Sequence, residues 1–245
     1  MSKVLALGVF LSAISLAQDQ KAETVEQLVK GIANWNSELN TPGSSMELRE
    51  LNREKKNGAI LVSYSVRVTG VPKDQSYALF YWPINRTKPE VTVPEVWLGE
   101  DGSVCVDHSS CAATTLRFSF LAARGEPHRL MMISKDGKHH VVAMVIPDPI
   151  AAIHQGCSIE VIRASPKFEL ALVRGRGFKP GDHVEFTSNS AGERRQGVSD
   201  VKDDGTFLLV LEPFVKGKDN GRDEVKFKGE NCSPTTAFKW GTMED

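Results

Sequence analysis

Turn signals of several kinds punctuate most of this chain at intervals of roughly 8 to 15 residues, the rhythm of a β sandwich or barrel. Asn57-Gly58, Asp101-Gly102, Asp136-Gly137, Asp204-Gly205 and Asn220-Gly221 are the clearest. Asn-Gly and Asp-Gly tolerate the left-handed backbone that tight hairpins demand, so each one marks a reversal between neighbouring strands. The run from Ile60 shows what lies between them. Ile60, Val62, Tyr64, Val66 and Val68 alternate with Ser63, Ser65, Arg67 and Thr69, the two-residue period of a strand with one face buried.

The same rhythm continues through Tyr77–Trp82, Val96–Leu98, Val104–Val106, Leu116–Phe120, Leu130–Ser134 and His140–Ile146. Pro147-Asp148-Pro149 interrupts it, because proline cannot donate to a ladder. Residues 148–156 therefore read as a strandless linker between a β sandwich at 44–147 and a second at 157–245. The second holds seven short apolar runs, starting at Ser158, Phe168, His183, Arg195, Thr206, Glu224 and Thr236, the strand number of an immunoglobulin-like sandwich. One helical pattern precedes both. Within an N-terminal segment at 18–43, Val25, Leu28, Val29, Ile32, Trp35 and Leu39 share one face over residues 22–39, and Asn40 and Pro42-Gly43 end it. The expected class is all-β: two tandem Ig-like antiparallel sandwiches with one N-terminal amphipathic helix. A composition of 40% hydrophobic and 25% charged residues is that of a globular chain.

Residues 1–17 read as a secretory signal peptide: Lys3 supplies the positive start, Val4–Leu16 the apolar run, and Ser15-Leu16-Ala17 the small-x-small cleavage pattern. The expected location is secreted or periplasmic, with no transmembrane segment in the mature chain. Cysteine usage agrees with that address. The four cysteines, at 105, 111, 157 and 232, allow three pairings, of which Cys105 with Cys111 and Cys157 with Cys232 is the economical one. The competing reading is zinc, since Cys105, His108 and Cys111 are closely spaced. A structural zinc site wants four ligands, often as two close pairs, and no second pair stands nearby.

The run Gly175-Arg176-Gly177-Phe178-Lys179-Pro180-Gly181-Asp182-His183-Val184 resembles the G-x-G-F-x-P-G-x-x-V stretch of bacterial Ig-like domains, notably the IPT/TIG-like ones. The resemblance covers about residues 158–241. It implies a sandwich in which the glycines turn the chain, Phe178 plugs one end and Val184 opens the next strand. Domains of this kind serve as spacers, adhesion modules or accessory domains of secreted enzymes, and the motif marks a fold without marking a site. The Tyr-Ala-Leu-Phe-Tyr-Trp-Pro strand, and the C-terminal Cys-Ser-Pro with Phe-x-Trp-Gly, are similar to segments of exported bacterial proteins.

No nucleophile-elbow G-x-S-x-G or phosphate loop is present, and Gly175-x-Gly177 lacks the third glycine and the following helix of a dinucleotide site. No catalytic residue, cofactor or metal is assigned. His139 and His140 are adjacent, so a strand would point them to opposite faces. Carboxylate pairs for glycoside hydrolysis are assembled by the fold rather than by spacing, and no local context singles one out. Tyr81, Trp82 and Trp97 are the candidate ligand-stacking residues, because exposed aromatics at a sandwich edge can stack on sugar rings; the competing use of such rings is packing. Arg194-Arg195 and the Lys216–Lys228 stretch carry positive charge interrupted by Asp219, Asp223 and Glu224. A chain with 30 Lys+Arg against 31 Asp+Glu, net −1, has no bulk attraction for nucleic acid, and this stretch reads as a solvated edge. The function expected is an exported, non-enzymatic interaction or structural module whose partner is an envelope protein or glycan. A carbohydrate-binding accessory protein and a secreted hydrolase are the alternatives.

Overall fold

The structure, a computed structural model, describes residues 31–241 apart from 57, 58, 85 and 87. It is all-β. In the first sandwich a three-stranded sheet of β1 (Ser45–Lys56), β2 (Ala59–Thr69) and β6 (Arg117–Ala122) faces a five-stranded one. The latter runs β5-β4-β3-β7-β8, with β3 Tyr77–Trp82, β4 Glu90–Leu98, β5 Val104–Cys105, β7 His128–Ser134 and β8 His140–Val145. The ladder of β1 and β2 runs as far as Lys56 paired with Ala59; Asn57-Gly58 lie outside the described residues. The alternation from Ile60 does what its period dictates: Val62, Tyr64, Val66 and Val68 are buried and meet Leu79, Val96, Leu130 and Met132 from the facing sheet. Pro94 sits in β4 where no strand pairs on its outer side, since β5 pairs only with Trp97 and Leu98. That is the edge position proline tolerates.

The second sandwich pairs β14-β11-β10-β9 against β13-β12-β15-β16. Its strands are β9 Ile150–His154, β10 Cys157–Arg163, β11 Ala171–Arg176, β12 His183–Ser190, β13 Glu193–Asp200, β14 Phe207–Leu211, β15 Gly221–Lys228 and β16 Thr235–Trp240. Val161, Val173, Phe207, Val225, Phe227 and Trp240 are buried between the sheets. Phe178 is buried against Phe207 with ring centroids 5.0 Å apart, plugging the end of the sandwich. Glycine is required at two points of that motif. A Cβ on Gly175 would stand 2.0 Å from the Phe207 ring, and Gly177 has φ +75° with its missing Cβ aimed at the Gly156 carbonyl.

Strand for strand the two sandwiches share one connectivity. β1, β2 and β6 correspond to β10, β11 and β14, and β4-β3-β7-β8 corresponds to β13-β12-β15-β16. β5 and β9 are additions to that common set of seven.

Both disulfides form. Cys105–Cys111 closes the short loop after β5, and Cys157–Cys232 joins the start of β10 to the turn between β15 and β16, so it ties one sheet to the other.

Three expectations need correction. The stretch 148–156 was assigned no strand, yet Ile150–His154 is β9, paired with β10 through a reversal at Gln155 (φ 47°) and Gly156 (φ 87°). Two successive left-handed residues make the tight hairpin turn usually built from Asn-Gly; here Gln takes the first place, and both prolines precede the strand. Secondly, Phe168 lies outside β11. It occupies a left-handed turn (φ 58°) that drives its ring into the core against Phe238 at 4.6 Å. Thirdly, the helix expected over 22–39 is not continuous. Residues 22–30 lie outside the described residues, as does the signal segment; 31–33 are helical and a separate 3₁₀ turn follows at Ser37–Leu39. Between them the indole of Trp35 donates to the Ala143 carbonyl at 3.0 Å, and the Asn36 side chain accepts from the Glu38 amide as a new cap.

That short segment covers an edge. Val142 N–H donates to Asn40 Oδ1 (2.7 Å), and His140 exchanges bonds with Thr41 through its amide (2.9 Å) and its carbonyl (2.8 Å). The open backbone at the start of β8 is thereby partnered, which shortens the template available for edge-to-edge association. Ile32 also enters a third apolar cluster, with Ile162, Ala164, Leu170 and Leu172 of the second sandwich and Met144 and Ile146 of the first. The sandwiches therefore meet across a packed seam.

Candidate functional site

The three aromatic candidates are placed in three different surroundings. Tyr81 and Trp82 are neighbours in β3, so the pleat sends them to opposite faces. Tyr81 turns into the first sandwich, stacks on Phe120 at 5.5 Å and shares a 2.7 Å hydrogen bond with Nδ1 of His128. Trp82 turns outward, where the Arg129 guanidinium lies 4.1 Å over its ring and Trp35 meets it edge-on at 5.4 Å. Trp97 lies beyond the far end of β3, beside the loop of the short disulfide, with its ring 4.8 Å from that of His108. Tyr81 thus packs against Phe120, and one face of the Trp82 ring is taken by Arg129.

Around Tyr81 is a set of titratable groups, of which His128 and Arg129 are buried and Glu126, like Tyr81, half-buried. His128 is only 3% exposed, and burial, followed by the charge of Arg129, pushes its pKa down to about 4. Burial also raises the Tyr81 phenol and the Glu126 carboxyl, the latter against the pull of Arg163. His128 and Tyr81 are accordingly both neutral at pH 7 and joined by one proton. Nε2 of His128 is buried with no hydrogen-bond partner. Arg129, buried beside them, donates from Nη1 to the Gly31 carbonyl at 2.8 Å and from Nε to that of Trp82. Through Arg129 this cluster fastens the N-terminal segment to β3 and β7.

The accessible polar surface is elsewhere, on the outer face of the sheet β13-β12-β15-β16. Strand alternation builds it row by row. Arg194, Asn189, Glu224 and Ala237 form one row, and Gln196, Thr187, Lys226 and Thr235 the next. Val198, Glu185 and Lys228 complete a third, and Arg222 pairs with Lys239 at the other end. With strands ~4.8 Å apart, such a face is ~14 Å wide. A shallow depression of about 390 Å³ runs over it, bounded by Arg194, Asn189, Thr187, Glu185, Lys226 and Lys228 among others.

Below the same sheet Asp223 is fully buried. Its carboxylate accepts the single bond donated by the Ser188 hydroxyl, which lies 2.9 Å from both of its oxygens, and burial raises its pKa. This settles how the charged stretch at 216–228 should be read. In linear order Asp219, Asp223 and Glu224 break up its positive charge; in the fold Asp223 points inward and Asp219 precedes the strand. Only Glu224 stays among the cations of β15. The period-two pattern Arg222, Glu224, Lys226, Lys228 was the signal that could have found this face. His128 and Arg129 had no comparable local mark, because what packs on them comes from elsewhere in the chain: Tyr81 and Phe120 on His128, Gly31 and Trp82 on Arg129.

No known family model matches the chain, and no curated protein does. Among solved structures, a tetra-tandem repeat from the extending region of a large adhesion protein is 11% identical over 81% of this chain, with a TM-score of 0.27. A DUF3823 family protein from Bacteroides ovatus is 10% identical over 80% of this chain and 96% of its own, with a TM-score of 0.22. Murine CEACAM1b is 10% identical over 78% of this chain and 95% of its own, at 0.20. The chain spans about half (49%) of the adhesion-protein repeat structure. Likenesses this distant transfer no activity or partner.

Proposed function

We propose that the chain is an exported, non-enzymatic interaction or structural module of the cell envelope, secreted or periplasmic. The observation that carries this reading is the joining of two disulfide-stapled sandwiches through a packed apolar seam. Such a body presents its outer sheet faces at a fixed spacing. Two disulfides using all four cysteines suit an oxidising compartment, and the signal pattern of residues 1–17 directs the chain to one. In the titratable cluster of the first sandwich His128 is 3% exposed and shares its one hydrogen bond with Tyr81, an arrangement that suits packing. Among the described residues no helix is long and apolar enough to cross a membrane.

The test is co-sedimentation of residues 18–245 with isolated envelope fractions and insoluble polysaccharides. Saturable retention on one of them is the expected result. Absence of retention would overturn the proposal, and turnover of any member of a glycan or peptide panel would then put a secreted hydrolase in its place.

A carbohydrate ligand is the second reading, favoured by the hydroxyl, amide and cationic side chains interleaved on the outer face of the second sandwich. Trp82→Ala and Trp97→Ala measure whether the aromatic candidates take part. Loss of glycan retention with unchanged circular dichroism would assign the ring in question to the ligand.

A further inference from the structure

We infer that the outer face of β13-β12-β15-β16 is a docking surface for an anionic polysaccharide, a chain of hydroxyl-bearing sugars with carboxylate or sulfate substituents. The inference rests on the interaction-module reading and names its ligand class. Five exposed cations share the face: Arg194, Arg222, Lys226, Lys228 and Lys239. Against them stand Glu185, Glu224 and Asp200. The last of these is tied to His183 at 2.7 Å, and Glu185 reaches Lys228 at 3.5 Å with both side chains 66% exposed. Arg194 and Lys226 make no ion pair with a described residue. The face is positive on a chain whose net charge is −1, so its attraction is for a polyanion and is local to this sheet.

Charge alone does not select a sugar; the side chains between the charges do. The row Gln196, Thr187, Lys226, Thr235 places an amide and two hydroxyls beside an ammonium, with neighbouring side chains ~5 Å apart. Asn189 and the Glu185 carboxylate add acceptors for sugar hydroxyls, and in the described rows from Arg194 to Lys228 no aromatic ring stands between them. An acidic peptide would find few apolar anchors, Val198 being the only large one in these rows. The width of the face suits an extended polymer lying across several strands.

The experiment measures binding of the purified chain to heparin and polygalacturonate, with dextran, poly-glutamate and single-stranded DNA for comparison. Binding to the two acidic glycans that weakens with salt, and little to the other three, is expected. The Lys226→Glu/Lys228→Glu variant should bind the acidic glycans at least about tenfold more weakly with an unchanged melting temperature. Lys135→Glu, on the first sandwich, should bind as the parent does. Thr187→Val should weaken glycan binding without removing its salt dependence. Equal affinity for poly-glutamate or DNA, or equal loss in Lys135→Glu, would overturn the inference by showing unselective charge. If acidic glycans are ignored while envelope fractions still retain the chain, the inference fails and the module reading stands; if neither is retained, both fail.

Discussion

His128 couples the first sandwich to pH. Its two ring nitrogens have one partner between them, the Tyr81 hydroxyl at 2.7 Å, and Nε2 is buried without any. Protonating the ring would leave a buried charge beside Arg129, which is why the pKa falls to about 4. The folded state therefore binds this proton less readily than the unfolded chain, where histidine titrates near its ordinary value of about 6.5. Stability due to His128 is fully present above pH ~6.5 and is lost as pH falls from there toward 4. The shift corresponds to about 3 kcal/mol at most. Glu126 and Asp223, raised by burial, act in the opposite sense: each favours the fold below the ordinary carboxylate range and loses that contribution as pH rises through its folded pKa. Because Glu126 and Asp223 titrate in the same window with the opposite sign, the histidine is isolated by comparing urea midpoints at pH 7.5 and 4.5 between the parent and His128→Phe, whose ring takes the same slot against Phe120. Going from pH 7.5 to 4.5, the parent should lose clearly more stability than His128→Phe. An unaltered pH dependence in that variant would remove His128 from the account.

The disulfides make separate predictions for the elements they join. Cys157–Cys232 closes a sequence separation of 75 and bridges the two sheets of the second sandwich, whereas Cys105–Cys111 closes one of 6 within a loop. In the chain-entropy model the longer loop contributes about 4 to 5 kcal/mol and the shorter about 2. The Cys157→Ala/Cys232→Ala variant should accordingly lose about twice the stability of Cys105→Ala/Cys111→Ala in denaturant titration, and comparable losses would refute the loop-length argument. Alkylation of unreduced, exported protein should add no mass; reduction first should add four labels. These pairings were legible in spacing, as were most strands, because alternation and Asp-Gly or Asn-Gly turns are local signals. What escaped was set by non-local chemistry. β9 closes on Gln155-Gly156, where no sequence rule favours Gln. Phe168 leaves the strand pattern because the core between the sheets has room for its ring. The helix face ended early because Trp35 found its acceptor on β8, more than a hundred residues away. The cationic face was hidden differently, since reading charge along the chain counted Asp223 that the pleat had turned inward.

At the scale of the whole molecule, two sandwiches of one connectivity and no strict sequence repeat are joined unevenly. The common set of seven strands is kept in each, yet the first spends its extra strand, β5, on a disulfide loop, and the second uses β9 to extend the sheet that carries the seam. On that sheet's outer face Ile162 and Leu172, paired side by side, are buried at 0% exposure by Ile32, Met144 and Ile146. Neither residue belongs to the core between the sheets of the second sandwich, so the seam can be attacked without hollowing that core. Backbone bonds reinforce it: Gly125 N–H donates to Asp148 at 2.7 Å and Arg163 N–H to Gly125 at 2.8 Å. Leu172 loses about 1.5 to 3 kcal/mol of burial when truncated, and a carboxylate in its place must be desolvated or the seam must open. With the seam intact the two sandwiches should melt as one calorimetric transition. Leu172→Asp should split it into two and raise the radius of gyration measured by small-angle scattering, while Cys157–Cys232 still protects the second sandwich from alkylation. A single transition and unchanged dimensions in that variant would mean that the backbone bonds at Gly125 and Arg163 hold the sandwiches together without the apolar contact, and that the fixed spacing of their outer faces does not depend on the N-terminal segment that supplies Ile32.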